Sequence, residues 1–220
     1  MGEYYDWVNV DKKQYLIPME FGHGSKLYES CWYHADVLGA LYSLLSSEWK
    51  GDHIMFLGDE CGSIRADIQN ETLRRFRAQC TGDGKLWYWP DEYRCMSGLF
   101  KAAEKEVREE IRIILEEPEN FDNIYRIDPA NPYKGLFERE PVWFRYVVNH
   151  ARKEYYDTER TRWTDGGHKM DPLPLLLAYG RMTLQEEECG RWLGAVITVT
   201  DQMPGDGYTD LSESNCWESR

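Results

Sequence analysis

The phrase VNVDKKQYL at residues 8–16 returns late in the chain as VNHARKEYY at 148–156. Val8/Val148, Asn9/Asn149, Lys13/Lys153 and Tyr15/Tyr155 are identical, while Lys12/Arg152 and Gln14/Glu154 are conservative exchanges. Four identities alone carry little weight, but a second echo follows in the same order. Trp49-Lys-Gly51-Asp-His-Ile54 and Trp192-Leu-Gly194-Ala-Val-Ile197 share W-x-G-x-x-I, and the 41 residues from Val8 to Trp49 nearly match the 44 from Val148 to Trp192. An acidic residue follows each tryptophan, Asp59 after ten positions and Asp201 after nine. Self-similarity of this kind marks one supersecondary unit used twice.

The unit reads as hairpin, apolar stretch, strand. YYDWVNV is β-branched and aromatic, DKK is a polar turn, and QYLIP resumes the strand until proline stops it. VWFRYVVN, HARK and EYYDTER repeat that grammar, and the leucine-rich stretches DVLGALYSLL (36–45) and DPLPLLLAYG (171–180) follow the two hairpins. These features predict an α+β fold: two related β-hairpin/helix/strand half-domains, spanning 4–61 and 144–203, packed together with a central helix insertion. A unit of roughly 60 residues buries little apolar area alone, so the copies are expected to pack on each other. The implied division is 1–61 for the first repeat half, 62–143 for the central segment, and 144–220 for the second half with its tail. In the central segment SGLFKAAEKEVREEIRIILEE (97–117) predicts a helix capped by Ser97, with Leu99, Ala103, Val107, Ile111 and Leu115 facing the core and Pro118 ending it. KLWYW (85–89) reads as a strand with Trp87 and Trp89 on one face, and the prolines between 118 and 141 predict a long loop.

Met1–Tyr5, Val8–Pro18, Phe21–Glu29 and Trp49–Asp59 together resemble a group of bacterial proteins sharing an aromatic MGxYY opening, a VN-x-DK-x-EYL-x-P motif, FG-x-G-x-KL-x-E, and W-x-GD-x-I. The likeness covers about the first 60 residues and, in the second half, only VNHARKEYYD, DPLPLLLAYG and GRWLGAVI. It implies a module and no particular reaction. Ala195 stands where the first copy has Asp52, so chemistry needing that aspartate would reside only in the first copy.

Charge narrows the partners. Against 26 basic residues stand 39 acidic ones, a net of -13, which opposes binding to nucleic acid or an anionic membrane and favours a protein with a basic surface. The longest apolar run, LPLLLAY at 173–179, is about a third of the ~20 residues that span a bilayer. MGEYYDWVNV has neither the basic nor the apolar region of a signal peptide, and the six cysteines (31, 61, 80, 95, 189, 216) form no C-x-x-C pair. A cytoplasmic protein with reduced thiols is expected. Cys31-Trp-Tyr-His34 has half the spacing of a zinc site without a second half, so no metal is assigned.

Candidate chemistry centres on GDHIMFLGDE (51–60), a strand bracketed by acids. His53, Asp59 and Glu60 are the candidate catalytic residues, beside the plainer reading that Gly-Asp pairs make turns. Candidate binding residues are His23, in a glycine-flanked turn suited to anions; Asn9, Tyr15, Asn149 and Tyr155, repeated and able to line a symmetric pocket; and the aromatic pair Trp87 and Trp89. Asn9 and Asn149 also suit turn backbone, and Tyr15 and Tyr155 a core. No phosphate loop, dinucleotide fingerprint or nucleophile elbow occurs, so no cofactor is expected. The leading expectation is an acidic intracellular binding protein of the immunity, inhibitor or antidefence kind. The alternative is a small hydrolase or nucleotide-handling enzyme acting near Asp59 and Glu60.

Overall fold

In the computed structural model, which describes residues 2–61, 69–79, 92–119, 123–161, 164–165, 168–183 and 189–214, the chain folds as an α+β protein. Both echoes form hairpins with one register. Strand β1 (Tyr5–Asn9) meets β2 (Gln14–Leu16) with Asn9 opposite Gln14, and a later hairpin repeats this with Asn149 opposite Glu154. The identical residues explain the turn. The Asn9 side-chain oxygen accepts the Lys12 amide at 2.9 Å, the Asn149 oxygen accepts the Arg152 amide at 3.1 Å, and Lys13 and Lys153 both adopt the left-handed conformation, φ 54° and 53°. An asparagine side chain that mimics a turn carbonyl fixes the four-residue loop and with it the register.

The W-x-G-x-x-I segments supply the third strands. After helix α1 (Asp36–Ser46), strand β3 (Ile54–Gly58) pairs antiparallel with β1, placing Ile54 opposite Asn9. Helix α2 (Glu71–Gln79), the edge strand β4 (Arg94–Cys95) and helix α3 (Glu104–Glu116) follow. The second hairpin is β5 (Tyr146–Asn149) and β6 (Glu154–Asp157), trailed by the small pair β7 (Thr164–Asp165) and β8 (His168–Lys169). Helix α4 (Leu173–Leu177) and β9 (Ala178–Tyr179) lead to β10 (Ile197–Thr200), which puts Ile197 opposite Asn149, and to β11 (Thr209–Asp210). In both copies the tryptophan anchors its strand: the Trp49 amide donates to the Leu44 carbonyl and the Trp192 amide to the Leu176 carbonyl, each at 2.7 Å.

The correspondence extends past the sequence echoes. Sheet one has the order β4-β2-β1-β3-β9, and sheet two β11-β6-β5-β10, so each hairpin carries a parallel edge strand beside its second strand. Ser97 and Ser212 then play one role, the hydroxyl of Ser97 accepting the Ile17 amide at 3.0 Å and that of Ser212 accepting the Asp157 amide at 2.8 Å. Among the described residues strand β9 has no counterpart in sheet two. The two sheets touch through an antiparallel bridge between His53 and Val196, with the Ile54 amide donating to the Ala195 carbonyl. His53 and Val196 occupy the same place in the two echoes, so equivalent positions pair where the sheets meet. Around this junction, α1 of the first copy packs on β10 and α4 of the second packs on β3. One apolar core takes residues from all three sequence segments, including the fully buried Trp7, Trp49 and Trp192.

The central helix departs from expectation. Residues 97–103 form two 3-10 turns separated by extended Phe100, which bridges Arg139, and α3 begins only at Glu104. Ser97 does not cap it, because its hydroxyl is committed to Ile17. Leu115 is 38 % exposed while Ile114 is buried. At 100° per residue Leu115 lies about 80° around the helix from Val107 and Ile114 only about 20°, so a strict repeat of four leaves the core face. The expected strand at 85–89, with Trp87 and Trp89, lies outside the described residues.

Candidate functional site

Strand β3 separates the catalytic candidates. At its start the His53 amide and ring Nδ1 both bond Asp11, at 2.6 and 2.8 Å, and Arg75 reaches the same carboxylate at 2.6 Å. Partial burial opposes ionisation of Asp11, but the His53 amide and the Arg75 guanidinium outweigh it and hold the carboxyl at about 2. About 20 Å further on, by strand rise, the Asp59 carboxylate accepts the Tyr4 amide at 3.2 Å and the Asp59 amide donates back to the Tyr4 carbonyl. Burial pushes the Asp59 carboxyl upward. Glu60 pairs with Arg181 at 3.2 Å. His53 therefore does not meet Asp59 and Glu60. Asp201, the acid after the second tryptophan, clamps its strand end similarly by accepting the Arg145 amide.

Asn9 and Asn149 sit in the hairpin turns described above. Tyr15 is wholly buried in the main core, and Tyr155 packs in a small cluster with Tyr146 and Val148. His23 lies edge-on to the exposed Trp32, ring centres 6.4 Å apart. Among the described residues no three His, Cys, Asp or Glu side chains gather as a metal site requires.

A cleft of about 200 Å³ opens where α1 meets the second sheet. Its floor is Asp171, fully buried, which accepts hydroxyl bonds from Tyr42 at 2.6 Å and Tyr156 at 2.7 Å and the Leu173 amide at 2.9 Å. Burial pushes the Asp171 carboxyl up, and the hydroxyl of Tyr42 and the Leu173 amide oppose that shift. Burial likewise raises Tyr42 and Tyr156 well above the usual phenol range, so both hydroxyls remain donors. The walls are aromatic: the His34 ring lies 4.0 Å from Tyr33 and 4.6 Å from Trp143, and Trp143 stands edge-on to Tyr42 at 6.0 Å.

Local structure explains how these residues converge. Backbone bonds from Tyr33 to Lys169 and from Asp171 to Cys31 zip 31–33 against 169–171, carrying Tyr33 over Asp171. His34 then turns through φ 63° into α1, a conformation that costs a non-glycine residue about 1–2 kcal/mol. Gly39 admits Trp143, since a Cβ there would lie 2.6 Å from Pro141 and 2.9 Å from the indole. The acids Glu159 and Asp201 stand exposed at the mouth, and Arg145 beside them is engaged by Asp157 at 3.0 Å.

Sequence reasoning passed over this cleft, although it noticed Cys31–His34 as half a zinc motif and 171–180 as a leucine-rich stretch. The usable signal was Asp171 itself, a lone carboxylate opening the most apolar run of the chain. No family model, curated protein or solved structure matches the chain, so the cleft is read on its own geometry.

Proposed function

We propose that this is an acidic binding protein of the immunity, inhibitor or antidefence kind, acting in the cytoplasm, which engages a basic protein through an aromatic, carboxylate-rimmed face. The observation that carries this reading is the continuity of that face. Trp32, 45 % exposed, runs directly into Tyr33 and His34 of the cleft wall, with Glu159 and Asp201 at the mouth. Exposed aromatic residues are enriched at protein interfaces, and a net charge of -13 steers a basic partner toward the protein. On this reading residues 1–61 and 144–220 are two uses of one unit, with the segment 62–143 between them lending β4 to the first sheet.

The test is reconstitution with basic proteins encoded beside its gene, followed by titration calorimetry at low and high salt. The expected result is a 1:1 complex whose affinity falls about tenfold or more as salt screens the charges. Failure to form any complex with a basic protein, or a complex indifferent to salt, would overturn the reading. A stoichiometric heat with Mg, Mn or Zn that disappears in Asp59→Asn would favour the enzyme alternative at Asp59 and Glu60 instead.

A further inference from the structure

We propose that the cleft floored by Tyr42 and Asp171 receives one cationic side chain, an arginine guanidinium or a lysine ammonium, from the basic partner. The inference rests on the binding-protein reading and names the chemistry of its central contact.

Three observations carry it. Asp171 is a fully buried carboxylate that three neutral donors hold in place; Lys169 is near enough to act on it electrostatically but makes no direct ion pair with it. A carboxylate has roughly four lone-pair positions, so one remains for a ligand at the cleft floor. A buried charge with no cation in direct contact is costly, and an entering cation that touches it offsets that cost. Secondly, the wall already holds an ammonium: Lys169 Nζ lies 4.1 Å from the centre of the Tyr33 ring, its proton donated to the Glu159 carbonyl at 2.8 Å. The same ring cluster, with Trp143 opposite, offers aromatic faces to a second cation from the cleft side. Thirdly, size sets the class. About 200 Å³ falls below the ~300 Å³ at which drug-sized ligands begin, and it suits a single side chain rather than a nucleotide.

The cleft is also one-sided. Leu16, buried and apolar, occupies in the first hairpin the place that Tyr156 holds in the second, so the equivalent location in the first hairpin lacks the hydroxyl that orients the carboxylate. A single cation per chain is therefore expected.

The test uses the whole protein and three probes: acetyl-arginine-amide, acetyl-lysine-amide, and acetyl-citrulline-amide as the uncharged counterpart of arginine. Two-dimensional NMR should show saturable shifts at the Trp143 indole and the Phe144 and Thr158 amides with one or both cations, and binding of the citrulline probe weaker by about tenfold or more. Trp143→Ala and Asp171→Asn should each weaken cation binding about tenfold. Because Asp171→Asn disturbs a buried network, the exposed pair Glu159→Gln and Asp201→Asn provides a variant that keeps the fold, with a loss of a few-fold expected. Equal binding of citrulline and arginine, or no saturable shift at these sites, would overturn the proposal. If a basic protein binds tightly while Trp143→Ala leaves its affinity unchanged and acetyl-arginine-amide does not compete, the cleft assignment falls and the binding-protein reading stands. If the arginine probe binds but no basic protein does, the partner reading falls while the cleft's preference for cations stands.

Discussion

The two hairpin units share their wiring and differ in their surroundings. In the first, Val8 and Tyr15 join the main core along with Trp7 and Leu16, so both faces of the sheet are covered. In the second, Val147 and Tyr156 reach the main core, whereas Tyr146, Val148 and Tyr155 form a separate cluster covered by Tyr208. Register thus follows from local chemistry, the asparagine turn and the anchored tryptophan, while burial depends on what each sheet is stacked against. The exchange of Gln14 for Glu154 follows the same logic. Trp49 donates its indole proton to neutral Gln14 and Trp192 donates to ionised Glu154, at 2.7 Å each. The residue before each tryptophan explains the difference: Arg191 pairs with Glu154 at 2.5 Å, while Glu48 occupies that place in the first copy.

The largest expected divergence is at the glycines of W-x-G-x-x-I. Gly51 and Gly194 both have positive φ, 84° and 67°, so a side chain costs about 1–2 kcal/mol at either. Their space differs. Among the described residues a Cβ on Gly51 meets nothing within 4 Å, whereas one on Gly194 would lie 2.6 Å from Thr72, whose hydroxyl bonds the Gly194 carbonyl. Overpacking adds about 1–3 kcal/mol, so in urea denaturation Gly194→Ala should be the more damaging by that amount. Equal losses would mean that the start of α2 does not clamp the second turn.

Smaller is the indole contrast. Removing the donor by Trp49→Phe forfeits a neutral hydrogen bond, about 0.5–1.5 kcal/mol, and Trp192→Phe forfeits one to a buried charge, about 1.5–3 kcal/mol. The loss of ring volume is common to both and cancels in the difference. Chemical denaturation of the pair should therefore separate them by about 1 kcal/mol, and a reversed order would break the assignment of Glu154 as the charged acceptor.

Much of this wiring was legible in the sequence because it depends on residues close together in the chain. Asn9, Lys13 and Tyr15 recur at fixed spacing since the turn needs them there, and Trp49 and Trp192 each precede the glycine by two residues and the strand's isoleucine by five. The Ser97 and Ser212 correspondence was hidden, because different lengths of chain precede the edge strands and only the single serine repeats. The cleft was hidden for another reason. Tyr42 and Tyr156 are 114 residues apart and Tyr42 and Asp171 129, joined by the crossing of α1 onto the second sheet, which no local pattern announces.

Acid sensitivity sharpens the comparison further. Burial disfavours the Glu154 carboxylate, but the Arg191 and Trp192 donors overcome it and the carboxyl lies below its ordinary value. A depressed carboxyl stabilises the fold fully above the unfolded value, about 4.5, and loses that contribution as pH falls through the lower folded value. Glu154→Gln, which installs the first copy's residue, should flatten this part of the acid limb in thermal melts followed from neutral pH downward. The converse change, Gln14→Glu, puts a carboxylate on the Trp49 indole where the residue before the tryptophan is Glu48 rather than an arginine, and should destabilise increasingly as pH rises through the carboxylate range. If both variants melt in parallel with the wild type at every pH, the two tryptophan acceptors are electrostatically alike and the contrast fails.

The subtlest difference lies beneath the turns. In the first copy Asp52 accepts the Asn9 side-chain amide at 2.8 Å and pairs with Lys12 at 2.9 Å. In the second, Ala195 stands in its place, and the buried Asn149 amide nitrogen has no partner among the described residues. An unsatisfied buried donor costs about 1–3 kcal/mol, so Asp52→Ala should transfer that penalty to the first copy and destabilise the protein by about 1–2 kcal/mol. Ala195→Asp should do the reverse, giving Asn149 an acceptor and Arg152, the counterpart of Lys12, a second carboxylate. Its gain is smaller, because Arg152 already pairs with Glu154 at 3.1 Å and the new charge is repelled by that neighbour. A stabilisation of about 1 kcal/mol or less is expected, read as a rise in denaturation midpoint without a change in slope. If Ala195→Asp destabilises while Asp52→Ala is neutral, the two asparagine turns are not interchangeable, and their common register comes from the strands rather than from the side chains beneath them.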